Sequence, residues 1–197
     1  MLEKPRLQQQ AFQPTFGAQV VGEGLTRFVL WAPGARRVAV EVEGLPSVTM
    51  DKSDDGCATA EVACGHGARY RYRIFNEKDD ENAEQGSLVP DPAARAQAGD
   101  IDGPSVVIDP SHYRWKNTDW QGRPWHETVL YELHVGTLGG FQGVRQHLPY
   151  LAELGITAIE LMPVSEFPGA RNWGYDGVLP YAVEASYGSP DDMKALI

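Results

Sequence analysis

The 197 residues are 42% hydrophobic and 22% charged, an ordinary balance for a soluble globular protein with chain enough for one large or two ordinary domains. A net charge of −10 argues against nucleic acid or an anionic membrane as partner, since both need a basic surface, and leaves a neutral ligand as the expectation. No stretch approaches the roughly 18 apolar residues of a membrane span, and the start, MLEKPRLQQQ, lacks the apolar centre of a secretory signal, so the cytoplasm is the expected location.

Residues 1–11 are polar and expected to fray. From Phe12 to Asp109 the texture is all-β: AQVVGEG, TRFVLWAPG, RRVAVEVEG, CATAEVACG and ARYRYRIFN are short runs with apolar residues near alternate positions, each closed by Gly or Asn. That spacing predicts a β-sandwich over 12–109. Arg69, Arg71 and Arg73 alternate with Tyr70, Tyr72 and Ile74, which sends one face of the strand to solvent and the other to a core. Trp31, within a strand, is expected as a core or interdomain residue rather than a sugar platform. The run NEKDDENAEQG reads as an exposed acidic hairpin tip. It lacks the D-x-D-x-D-G register of a calcium loop. Cys57 and Cys64 are expected as two small buried thiols. With scattered histidines and no glycine-rich phosphate loop, no metal or other cofactor is expected. Residues 110–127 form a linker in which Trp115, Trp120 and Trp125 are expected to glue the flanking domains together.

From Thr128 the pattern changes. Val129, Tyr131, Leu133 and Val135 alternate with Leu130, Glu132 and His134 as in a strand, where His134 either lines a site at the strand end or is a hydrogen-bonded wall residue. Val144, Leu148, Leu151 and Leu154 follow helical spacing, with Gly155 as the stop. Pro149 within this pattern must kink the helix or start its main segment. Thr157 to Val164 is an almost continuous apolar run, as in a parallel strand covered on both faces. Asn172, Trp173, Tyr175 and Asp176 follow it on a loop, Tyr187-Gly188 is a turn, and Ser189 and Pro190 read as N-cap and first residue of a second helix. Strand, helix, strand, loop and helix start are one and a half βα units, and in α/β barrels the C-terminal ends of such strands hold the active site.

The strings VLYELHVGT, IELMPV and NWGYDGVLPYA, preceded by RFVLWAPGARRVAV, resemble the α-amylase superfamily of retaining glycosidases. Within it they most resemble the branch that releases trehalose from trehalose-capped maltooligosaccharides. Glycogen branching and debranching enzymes share the plan and are the alternative, as is a stand-alone α-glucan-binding module. The resemblance implies an immunoglobulin-like β-sandwich over 12–109 followed, over 128–197, by the first units of a (β/α)8 barrel. It implies an α-glucan or maltooligosyl trehalose as substrate, with Tyr175 stacking on the glucose at the cleavage subsite and Asp176 gripping its hydroxyls. Trp173 and His134 are further substrate-binding candidates, Trp173 being expected mainly to pack the loop down.

Two departures stand out. Leu138-Gly139-Gly140 makes a shorter turn than the family's after the first barrel strand. The second departure is length, since a full barrel takes about 250 residues. The family's nucleophile, acid/base and stabilising carboxylates belong to later strands, so no residue here is expected to be catalytic, and the chain by itself is expected to be an inactive N-terminal part. Retaining hydrolysis needs two carboxyls about 5 to 5.5 Å apart. Only Glu166 and Asp176 are candidates on the right rim, with nothing to pin them together. Glu160 is expected to be a buried structural carboxylate. Oligomeric state is not legible.

Overall fold

The computed structural model describes residues 14–76, 86–117 and 119–197. Strands β1 (Gly17–Gly22), β2 (Leu25–Trp31), β3 (Arg37–Val42), β4 (Val48–Thr49), β5 (Asp51–Lys52), β6 (Cys57–Val62), β7 (Arg69–Phe75), β8 (Ser87–Val89) and β9 (Ser105–Val106) form two antiparallel sheets. One is ordered β1-β2-β6-β5, the other β4-β3-β7-β8 with β9 also paired to β7. The acidic run falls largely in 77–85, and the polar start in 1–13, both outside the described residues.

The two sheets close over Phe28 and Leu30 of β2, Val38, Val40 and Val42 of β3, and Tyr70 and Tyr72 of β7. Each of the valine, leucine and phenylalanine side chains contributes roughly 1.5–3 kcal/mol on leaving water. Period-two alternation makes this possible: the tyrosines of RYRYRIF point inward while Arg73 pairs with Glu41 across the strands and Arg71 donates to the Asp102 carbonyl. A buried phenol needs a partner. Both tyrosine hydroxyls therefore donate to the buried Asp91 carboxylate, at 2.5 Å from Tyr70 and 3.4 Å from Tyr72. Burial pushes the Asp91 carboxyl above its usual range in spite of these bonds, and pushes both phenols well up.

The second part is a βα arrangement. β10 (Leu130–Leu133) runs parallel to β11 (Ala158–Leu161), with Leu133 beside Leu161, and α1 (Gly140–Glu153) is the crossover. β10 is shorter than expected because Val135 already takes helical angles and opens a 3-10 turn over Gly136–Leu138. The short Leu138-Gly139-Gly140 turn works through two successive left-handed glycines. A Cβ on Gly140 would lie 2.4 Å from the Tyr187 carbonyl oxygen, so this close approach requires glycine. α1 starts at Gly140 and runs through Pro149. It ends as expected at Gly155: the N–H groups of Gly155 and Ile156 donate to the Ala152 and Leu151 carbonyls, a Schellman closure. β12 (Ser165–Glu166) pairs antiparallel with β13 (Leu179–Val183), and α2 (Pro190–Leu196) follows. Ser189 caps α2 in a reciprocal box with Asp192. Leu133, Val135, Phe141, Val144, Leu151, Phe167, Tyr187 and Leu196 form the core of this part.

Several expectations are corrected. Trp31 is exposed at the end of β2, its indole N–H donating to the Asp55 carbonyl, because alternation along β2 turns it to the face away from Phe28 and Leu30. The linker tryptophans are exposed too, Trp125 by 80%. Among its described residues their segment has short 3-10 turns at its ends, and Trp115 and Trp120 line an apolar cleft with residues of α1, β11 and α2. Cys57 and Cys64 are free thiols but only partly buried. Glu160 is exposed as well: it lies in register with Glu132 on the sheet face opposite the one that α1 covers.

Cooperative protection follows the cores. The sandwich buries both inner faces, whereas a parallel pair of four-residue strands with one face open cannot stand alone. Hydrogen exchange should show amides in 28–42 protected well above those in 156–164. Equal protection would mean that the second part is covered by another surface.

Candidate functional site

The C-terminal ends of β10 and β11 are followed by His134 and by Met162-Pro163, and the loop between β12 and β13 folds back over them. Two glycines permit this. A Cβ on Gly174, which has φ +95°, would sit 2.1 Å from the Pro163 carbonyl oxygen, and one on Gly177 would sit 2.8 Å from the Ser165 Cβ. The loop backbone is thus pressed on the strand-end backbone, and the neighbouring side chains are turned outward. Trp173 and Tyr175 are each 70% exposed and Asp176 is exposed.

Asn172 organises the loop. Its side-chain oxygen accepts the Gly174 N–H at 2.8 Å and its amide donates to Asp176 Oδ2 at 2.9 Å. Its backbone carbonyl accepts from His134 Nε2 at 2.7 Å, with the Tyr187 hydroxyl 3.5 Å away. His134 Nδ1 accepts the Thr137 N–H at 3.2 Å, which leaves Nε2 as the nitrogen that donates to the Asn172 carbonyl. Both nitrogens of His134 are therefore taken up inside the protein, and its ring meets Trp173 and Tyr187 edge-on at 5.9 and 5.8 Å. Of the four sequence candidates, the fold brings all to one strand end: Tyr175 and Asp176 outermost, Trp173 on the His134 ring, His134 beneath.

Glu166, the other rim carboxylate, is elsewhere. It is 1% exposed, and its Oε2 accepts the Ala185 N–H at 2.8 Å. Glu184, equally buried, accepts the N–H groups of Phe167 at 3.1 Å and Ser186 at 3.0 Å. The pair borders a cleft of about 720 Å³ against the sandwich, lined also by Gln97 and Asp100, and Asp176 does not line it. Burial, reinforced by the nearby Glu184 and Asp100 charges and opposed by the Ala185 hydrogen bond, raises the Glu166 carboxyl from 4.5 to about 7. Glu184 and Tyr187 are the residues that sequence reasoning missed. Tyr187 was legible only as a turn residue, yet it is buried against Phe141, Phe167 and His134. Glu184 carried no signal beyond an acid at the end of an apolar strand.

The chain matches the family described as Alpha amylase, catalytic domain, over residues 79–197. It is 40% identical over 187 residues to malto-oligosyltrehalose trehalohydrolase of Saccharolobus solfataricus, covering 93% of this chain and 31% of that protein. To the enzyme of the same name from Deinococcus radiodurans it is 41% identical over 175 residues, covering 87% of this chain and 27% of the relative. A solved structure, a putative alpha amylase from Salmonella typhimurium, superposes with a TM-score of 0.86 at 44% identity, over 94% of this chain and 31% of that one. The chain thus spans about a third of the length of these relatives and corresponds to their N-terminal portion.

Glu166 sets a pH dependence. Between about 4.5 and 7 the folded chain holds a proton that the unfolded chain has released, so its contribution favours folding on the acid side and is lost as pH rises through that window. Glu166→Gln keeps the acceptor for Ala185 without the charge. In urea unfolding this variant should gain stability over the parent at pH 8 and show little difference at pH 4.5. An equal difference at both pH values would remove Glu166 as the cause.

Proposed function

The chain belongs to the alpha-amylase catalytic-domain family, and from that membership we propose that it is the N-terminal part of a retaining α-glucan hydrolase acting on maltooligosyl trehalose, with release of trehalose. The sandwich is an immunoglobulin-like module preceding the barrel, and residues 128–197 open the (β/α)8 barrel. What carries this reading is the Tyr175-Asp176 pair, presented outward at the C-terminal end of parallel strands in a chain about 40% identical to two malto-oligosyltrehalose trehalohydrolases.

The chemistry suits the pair. A pyranose has an apolar C–H face that lies against an aromatic ring and a hydroxyl rim that a fixed carboxylate accepts from. Tyr175 offers a largely exposed ring, and among the described residues Asp176 is held by one oxygen, which leaves Oδ1 for a sugar hydroxyl. Trp173, propped edge-on against His134, walls the same mouth. No second carboxyl in this part serves the bond-breaking step: Glu166 is bound to Ala185 and opens toward the sandwich. The acid and the nucleophile belong to the remainder of the barrel, and this part supplies the sugar platform.

In the complete enzyme, Asp176→Asn keeps the shape but removes a charge-assisted acceptor worth roughly 1.5 to 3 kcal/mol, a loss of about 10- to 150-fold in kcat/KM. Because the sugar distorts toward the transition state, much of the loss should fall on kcat. Tyr175→Ala should lose more, and Glu166→Gln should change little. Steady-state kinetics on maltooligosyl trehalose, with circular dichroism to establish folding, measures all three. A folded Asp176→Asn enzyme of parental efficiency would reduce the loop to scaffolding.

A further inference from the structure

We propose that Asn172 is a positioning residue, whose side chain aims the Asp176 carboxylate at the sugar. The inference rests on the assignment of Asp176 as a sugar-gripping residue and adds how that carboxylate is held. An exposed aspartate on a loop ordinarily samples several rotamers, and ordering it on ligand binding costs free energy. Here the ordering is supplied beforehand. The amide of Asn172 has one possible orientation, because only its oxygen can accept the Gly174 N–H at 2.8 Å. Its NH2 must then face Asp176 Oδ2, which it meets at 2.9 Å. One carboxylate oxygen is pinned and the other accepts no hydrogen bond from the described residues.

Asn172 is itself fixed from a different element. Its carbonyl accepts the proton of His134 Nε2 at 2.7 Å, and His134 is locked by the Thr137 N–H on Nδ1 and by Thr137 Oγ1 donating to its carbonyl at 2.8 Å. A continuous run of hydrogen bonds therefore leads from the end of β10 through His134 and Asn172 to Asp176. A residue that served only to close its own turn would need the Gly174 bond alone. The bond to Asp176 reaches beyond that turn, and it falls on the side chain proposed to grip sugar hydroxyls.

Asn172→Asp separates the two bonds. It keeps the acceptor for Gly174 and replaces the donor facing Asp176 with a second carboxylate. In the complete enzyme, Asn172→Asp and Asp176→Asn should each lower kcat/KM about 10- to 150-fold. Introduced into Asp176→Asn, Asn172→Asp should cost less than about threefold further, since its target is already gone. A purely structural role would cost the same whatever stands at 176. Asn172→Ala, run through the same cycle, serves if the aspartate variant does not fold, as judged by its melting temperature. If Asp176→Asn is impaired but the Asn172 variants keep parental efficiency, or the losses multiply, the positioning role falls and the sugar assignment stands. If Asp176→Asn itself has parental efficiency, the sugar assignment falls and this inference with it.

Discussion

The loop that carries Tyr175 and Asp176 depends on two buried carboxylates at its roots. β12 and β13 share a short, irregular ladder, with register shifting between Ser165 and Glu166, which leaves backbone N–H groups of this region without strand partners. A buried N–H without an acceptor is costly. Glu184 takes those of Phe167 and Ser186, and Glu166 takes that of Ala185. The acids cross: the one on β12 ties the turn after β13, and the one after β13 ties the residue following β12. Both ends of the loop are joined to each other by side chains where the sheet is too short to do it. Burial, reinforced by the nearby Glu184 and Asp100 charges, is what raises the Glu166 carboxyl.

Close backbone approach is the second device. Gly136 and Gly140 let Tyr187 settle over the strand-to-helix turn, while Gly174 and Gly177 let the loop lie on the Pro163–Ser165 backbone. Tyr187 joins the two, since its ring touches Phe141 of α1, Phe167 at the root of the loop and His134 at the end of β10. At the Leu138-Gly139-Gly140 turn, Gly140 lets the start of α1 and the turn after β13 meet under the candidate site.

The sandwich takes part in the same arrangement. Asp100 accepts the Gly169 N–H with both carboxylate oxygens, at 3.0 and 3.2 Å, and so holds the first residues of the loop from outside the βα units. Farther down, His66 stacks on His112 at 4.2 Å and its Nδ1 accepts the Asp109 N–H, which fastens the start of the linker to the sandwich. The N-terminal module thus reaches the candidate site through its loops, whereas the basic strand face of Arg71 and Arg73 is occupied with its own partners, Asp102 and Glu41.

The sequence by itself determined what depends on nearest neighbours. Alternation placed Tyr70 and Tyr72 in the core and the arginines outside. The Ser189-Pro190 start and the Gly155 stop followed from capping chemistry, whereas the apolar run over 157–164, expected as a strand covered on both faces, forms only the four residues Ala158–Leu161 with one face open. The loop NWGYDG was legible as a candidate site because its residue types suit a sugar. Only the tertiary structure decided which carboxylate faces which space. Glu160, Glu166 and Asp176 are alike in sequence terms, yet one lies on an open sheet face, one is buried against the sandwich and one is held outward by Asn172. The exposure of Trp31 and of the linker indoles was hidden for the same reason. A side chain's burial is set by what crosses it from distant parts of the chain, and neither periodicity nor composition encodes which distant segment arrives.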